Sequence, residues 1–195
     1  IGNSAFFGCL VLPVITVPAQ VLEIEDYAFK GCPRLERLIV ADANPAYRSL
    51  DGVLFDKNLT TLLQYPEGKA GSYAIPGSVT SIGTGAFAGC RELAGIVIPD
   101  GVAQIGDRAF DSCSSLTHLT IPRSVAGIGD WAFAFCADLR GVFFAGDLPS
   151  FGAVPFTGTG AILYHLPGAS GWGDMHAGCL TRLWNPVIQV SPAAS

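Results

Sequence analysis

This chain of 195 residues is short of charge: 14% of its residues are Asp, Glu, Lys or Arg, and only Lys30, Lys57 and Lys69 are lysines. The balance of 16 acids against 11 bases leaves a net charge of −5. Binding to nucleic acid requires clustered Lys and Arg to replace counterions, and the arginines here are scattered, so no nucleic-acid partner is expected. Apolar runs are also short. None nears the roughly 20 residues of a membrane-spanning helix, so no membrane span is expected within the chain. Disorder is excluded from the other side, because half of the residues are hydrophobic and a disordered chain pairs low hydrophobicity with high charge.

The usual signatures of catalysis are missing as well. The sequence holds no G-x-x-x-x-G-K loop and no G-x-S-x-G elbow. Its three histidines, His118, His165 and His176, form no pair at zinc-ligand spacing. "HAGC" sets His176 three residues before Cys179, which evokes a nucleophile and its base, but no motif marks an activated thiol. "DGVLF" and "PDGV" carry turn-forming Asp-Gly pairs without the D-x-D-x-D-G of a calcium loop. "NLT" at Asn58 is a sequon by pattern only. No catalytic residue, metal ligand or cofactor is assigned, and the chain is read as not an enzyme.

What the chain has in quantity is glycine (24), proline (13) and a repeated phrase. "IGDRAFDSCSSLTHLTIPRSV" is followed at once by "IGDWAFAFCADLRGVFFAGDL". Aligned on Phe, the copies fall at Phe6, Phe29, Phe87, Phe110, Phe133 and, more faintly, Phe156. The step is 23 residues except between Phe29 and Phe87, where an insertion of 35 is added. Ala precedes the first five of these, and Cys follows three residues later (Cys9, Cys32, Cys90, Cys113, Cys136). Apolar residues then stand three, six and eight places after the Cys, as in Leu116, Leu119 and Ile121.

Self-similarity at this period marks a leucine-rich-repeat solenoid. Each coil cannot bury its apolar side alone, and stacking turns every fixed position into a ladder along the core. The L-x-x-L-x-I run reads as a short strand with alternate residues inward, ended by Pro. A-F-x-x-C reads as a short helical turn. The glycine of "IG" (Gly2, Gly83, Gly106, Gly129) suits a positive φ or tight packing.

"IPRSVAGIGDWAFAFCADLRGV" and "IPGSVTSIGTGAFAGCRELAGIVIP" resemble the BspA-type leucine-rich repeats of bacterial surface proteins, over roughly residues 1–145. The insertion resembles a variant repeat of that family, with "DGVLFD" and "TTLLQYP" as strands around a turn at Lys57-Asn58. The fold expected is therefore α/β: a β-rich solenoid of 23-residue coils over residues 1–168, with one enlarged coil at about 42–76 and a degenerate last coil at 146–168. A C-terminal cap over 169–186, in which Trp172 and Trp184 cover the last coil, and a tail over 187–195 complete it. The chain opens in mid-phrase at "IGNSAFFGC", so the natural protein is expected to begin upstream, with any targeting segment there.

Five cysteines hold one position in successive coils. Strands about 4.8 Å apart bring them near, but parallel Cβ vectors make bridging awkward, so they read as small buried hydrophobes. Cys179 stands outside the ladder and is the one candidate for reactivity.

The resemblance implies a noncatalytic protein-binding or adhesive module of a bacterial cell-surface or secreted protein, hence an extracellular or cell-surface location and a protein partner. Two outward rows on the strands are the candidate surface: Val14, Arg37, Gly95, His118, Gly141 and Thr16, Ile39, Val97, Thr120, Phe143. From these, Thr16, Arg37, Ile39, Val97, His118, Thr120 and Phe143 are the candidate contacts. An apolar stripe can mark an interface, and β-branched residues also simply suit strands. The alternatives are a glycan-binding module with Trp131, Trp172, Trp184 or Phe143 as stacking platforms, and a spacer between other domains.

Overall fold

The protein is described here by a computed structural model covering residues 1–185; the tail expected over 187–195 lies outside the described residues. Two strands open the chain, β1 (Val14–Val17) and β2 (Arg37–Val40). The enlarged coil contributes β3 (Tyr47–Leu50), β4 (Val53–Asp56), β5 (Thr61–Gln64) and β6 (Gly71–Ala74). Regular coils then supply β7 (Ser81–Ile82), β8 (Leu93–Val97), β9 (Gln104–Ile105), β10 (His118–Ile121), β11 (Gly127–Ile128), β12 (Gly141–Phe144) and β13 (Ser150–Phe151). The last are β14 (Ile162–His165), β15 (Met175–His176) and β16 (Cys179–Leu183).

Every regular coil has three sides. The L-x-x-L-x-I strands stack in parallel on the first, as β1-β2, β6-β8 and β10-β12-β14-β16, with β15 antiparallel at the edge. Period-2 alternation decides what faces inward: Leu119 pairs with Val142 and Val142 with Leu163, all buried. The short strands form the second side in the order β13-β11-β9-β7-β5-β4-β3, where Ile82, Ile105, Ile128 and Phe151 stand in register. The A-F-x-x-C turns make the third. Between the sides runs the Phe ladder, with rings of Phe87 and Phe110 centred 4.8 Å apart and those of Phe133 and Phe156 5.3 Å apart.

The turns are not helical, and the described residues hold no helix, so the α/β expectation is corrected to a β-solenoid. The reason is where the backbone N–H groups go. In one coil Ala109, Asp111 and Cys113 donate to carbonyls three residues back, while Arg108, Phe110 and Ser112 donate to Asp130, Ala132 and Ala134 of the next coil. Half of the donors are thus withdrawn from any i→i−4 ladder. Left-handed residues flank each turn, Arg108 at φ 52° and Ser112 at φ 63°, and a right-handed helix cannot pass through them.

That left-handed position also decides between the two readings of the "IG" glycines. The positive φ sits two residues later, at Ser4, Tyr27, Gly85, Arg108, Trp131 and Val154. From Gly83 onward the "IG" glycine serves close approach: a Cβ at Gly106 would lie 2.8 Å from the carbonyl carbon of Gly83, whereas one at Gly2 would meet nothing within 4 Å.

In the enlarged coil, β3, β4 and β5 are antiparallel, and β4 and β5 enclose the expected turn. Tyr65 takes the place of the ladder Phe, 5.1 Å from Phe87, and its N–H donates to Ala86 as that of Phe87 does to Ala109. Ladder and core are divided on its far side. One cluster gathers Ile15, Val17, Phe29, Leu35, Leu38 and Leu54; another runs from Val53 through Phe87 and Phe133 to Cys179. At this joint Glu67, itself buried, accepts the Gly31 N–H at 2.6 Å, where a regular coil would offer a carbonyl. Burial pushes its carboxyl above the usual range, against the pull of the Gly31 N–H and Lys30.

Candidate functional site

The outward positions of the first side form two rows, and the strand pairing fixes their members. Val14 faces Arg37, Ser72 faces Gly95, and His118 faces Gly141, which faces Ile162. In the other row Thr16 faces Ile39, Ala74 faces Val97, and Thr120 faces Phe143, which faces Tyr164 and then Arg182. Thr16, Arg37, Ile39, Val97, His118 and Thr120 are all exposed, whereas Phe143 is half-buried.

Phe143 is half-buried because other rings cover it. Tyr164 stacks on it with centroids 4.8 Å apart and planes 13° apart, and Trp184 meets it edge-on at 5.1 Å. His118 lies 6.2 Å away on the other flank. Gly141 makes room for this group, since a Cβ there would stand 2.9 Å from the His118 ring and 3.1 Å from that of Phe143. The charged side chains in these two rows are Arg37 and Arg182, both cationic, in a chain whose net charge is negative.

Tyr164, Arg182 and Trp184 were not legible as members of this surface. The Phe-to-Phe step stays at 23, but Val142 pairs with Leu163, 21 residues on, so a fixed period misplaces the last strand by two. Trp184 was expected over the end of the core. The register of β16 on β14 puts Arg182 beside Tyr164, and alternation carries Trp184 to the same outer side. Trp172 does pack at the end of the core, 4.8 Å from Phe144 and stacked at 3° on His165.

The chemical candidates lose their force in place. His176 and Cys179 oppose each other across the β15–β16 hairpin, so their spacing is that of its Ala177-Gly178 turn. The His176 Nε2 accepts the Gly173 N–H at 2.9 Å, and burial pushes the Cys179 thiol up, away from the thiolate a nucleophile needs. Cys179 is therefore corrected from a reactive candidate to a buried thiol. The ladder cysteines are free, and Cys32, Cys113 and Cys136 donate Sγ–H to Phe6, Phe87 and Phe110 carbonyls at 3.0, 3.1 and 3.0 Å. Among the described residues no cluster of His, Cys, Asp and Glu could hold a metal ion, and no helix is long and apolar enough to cross a membrane.

On the turn side Trp131 is half-buried, with the Arg108 guanidinium 5.1 Å from its ring centre and Phe135 tilted against it at 6.2 Å.

The sequence matches the BspA type leucine rich repeat region in six copies, over residues 1–62 and 64–167. Its backbone is similar to that of a leucine-rich repeat protein from Eubacterium ventriosum, with a TM-score of 0.71 and 27% identity over 80% of this chain and 43% of that one. A leucine rich cell surface protein from Faecalibacterium prausnitzii is similar in fold at 24% identity, with a TM-score of 0.59 over 87% of this chain and 50% of that one. The pneumococcal vaccine antigen PcpA is similar in fold at 22% identity and a TM-score of 0.59, over 80% of this chain and 51% of that one. The chain thus spans about half the length of the structures it matches. None of the curated proteins matches the sequence.

Proposed function

The chain belongs to the BspA-type leucine-rich-repeat family, and from that premise we propose that it is a noncatalytic protein-binding module acting through the outer rows of its strand side. The observation that carries this reading is the Phe143–Tyr164–Trp184 group, an aromatic cluster on a surface with cationic ends. Aromatic residues and Arg dominate the energetic centres of protein interfaces. Thr16, Arg37, Ile39, Val97, His118 and Thr120 extend the contact toward the first coil. A location outside the cell or on a bacterial surface, and an adhesive role, are part of the same proposal and rest on the family alone. So does the division into a solenoid to residue 168 and a closing segment from residue 169.

The glycan reading asks for an open ring face on which a pyranose can lie. Here three of the four candidate rings have a partner against a face, Phe143 with Tyr164, Trp172 with His165 and Trp131 with Arg108, while Trp184 meets Phe143 edge-on. The protein reading is favoured for that reason. An array carrying both extracellular-matrix proteins and glycans tests it. Protein hits weakened about tenfold or more by Val97→Glu or Thr120→Glu, an effect worth ~1.4 kcal/mol, support the proposal. Glycan hits lost on Trp131→Ala defeat it, and silence on both favours a spacer.

A further inference from the structure

The end of the stack carries a second feature, separate from the strand side. In the coils of Phe87, Phe110 and Phe133 three turn residues donate their N–H groups to the coil that follows. Gly85, Phe87 and Gly89 donate to Asp107, Ala109 and Asp111; Trp131, Phe133 and Phe135 donate to Ala153, Pro155 and Thr157. Val154, Phe156 and Gly158 hold these places in the last coil, with the same left-handed backbone at Val154 (φ 40°) and Gly158 (φ 71°). Their three N–H groups find no acceptor among the described residues.

The cause is a shortened connection. Leu163 pairs with Thr181 only 18 residues on, so the chain crosses directly through the β15–β16 hairpin and omits a turn segment. β16 fills the next place on the strand side, and the turn side is left open. The result is a cleft of about 810 Å³ walled by Pro155, Thr157, Gly160 and Ile162 of the last coil and by Ala177 and Leu180 of the hairpin.

Two properties say what could lie there. The donors sit on every second residue along one edge, and in the preceding coils donors so placed meet the alternate carbonyls of another turn segment rather than converging on one anion. No charged side chain lines the cleft, so a charged occupant would be desolvated without a partner. A whole further coil, including the first coil of a second copy, is blocked because β16 already fills its strand position.

We propose that this edge docks an uncharged segment of a partner polypeptide folded as a repeat turn, through pairing of its alternate main-chain carbonyls with the Val154, Phe156 and Gly158 N–H groups. A row of unpaired backbone N–H groups at an exposed edge is a template for pairing with another chain. The inference stands apart from the strand-side reading and survives its failure.

The probe is the acetylated and amidated heptapeptide Gly-Thr-Gly-Ala-Phe-Ala-Gly, which copies residues 83–89, titrated to millimolar concentration into the isotope-labelled full chain. The expected result is movement of the Val154, Phe156 and Gly158 amide signals while those of Val97 and Thr120 hold still. Leu180→Glu, at an exposed rim position, is expected to weaken binding about tenfold by placing a carboxylate beside the peptide carbonyls. Absence of any shift, or shifts confined to the strand side, overturns the proposal. So does tighter binding by a chain ending at Asn185, which would make residues 186–195 the occupant. Concentration-dependent association that moves Asn3, Ala5 and Phe7 would make it a second copy, and would overturn it equally.

Discussion

The ring of Phe133 lies 5.0 Å from that of Phe110 with the two planes only 2° apart, although the residues are 23 positions apart in the chain. Each ring is fully buried and covered on both faces, Phe110 between Phe87 and Phe133. Phe110→Ala is therefore expected to cost about 3–5 kcal/mol, the range for emptying such a site. Phe6, half-buried in the first coil and stacked on Phe29 alone, is expected to cost clearly less. Urea unfolding of the two variants checks the ranking, and equal losses would refute the ladder.

The glycines divide by what surrounds them. A Cβ at Gly129 would stand 2.6 Å from the Asp107 nitrogen, whereas one at Gly77 meets nothing within 4 Å. Gly129→Ala is expected to destabilise by roughly 1–3 kcal/mol through overpacking against backbone, and Gly77→Ala to be neutral or slightly stabilising. Thermal unfolding of both variants separates these outcomes.

Glu67 gives the joint between the two cores a pH dependence. Its carboxyl titrates above the ordinary glutamate value because it is buried. A raised folded-state value means that its contribution to stability is fully present below the ordinary value and lost as pH rises through the folded one. The free-energy difference between wild type and Glu67→Gln should thus move in favour of wild type as pH falls from 7 to 4. A difference that stays constant over that range would contradict the assignment.

The thiols should divide by position. Burial pushes Cys32, Cys90, Cys113 and Cys179 up, and Cys9, in the first coil, is the one cysteine that is not buried. A thiol reagent is expected to modify one cysteine per native molecule quickly, at Cys9, and the other five only on unfolding. Mass spectrometry of the labelled peptides reads this directly.

The repeat was legible because position in a coil is chemistry: a Phe that must stack, a Cys that must be small, a Leu that must point inward. The enlarged coil's strands around Lys57 could be read for the same reason. Three things could not. The turns look helical in composition, and only the neighbouring coil's demand for their N–H groups prevents it. Tyr65 as a ladder residue is hidden, since neither an Ala before it nor a Cys three residues after it marks the place. The aromatic group on the strand side needed the true register of β14, which a two-residue shortening had displaced. Binding surfaces suffer most from such slips, because one outward residue says little until its neighbours are known.

The division of the core at the enlarged coil leaves two apolar clusters in series, joined through β4, whose neighbours Val53 and Leu54 belong one to each. The smaller holds the first coils around Phe29 together with Leu54, and the larger runs from Val53 to Cys179. Denaturant or mechanical load is therefore expected to melt the smaller front section first, with the aromatic cluster around Phe143 still assembled behind it. Damage arriving at that end would spend itself at a built-in firebreak.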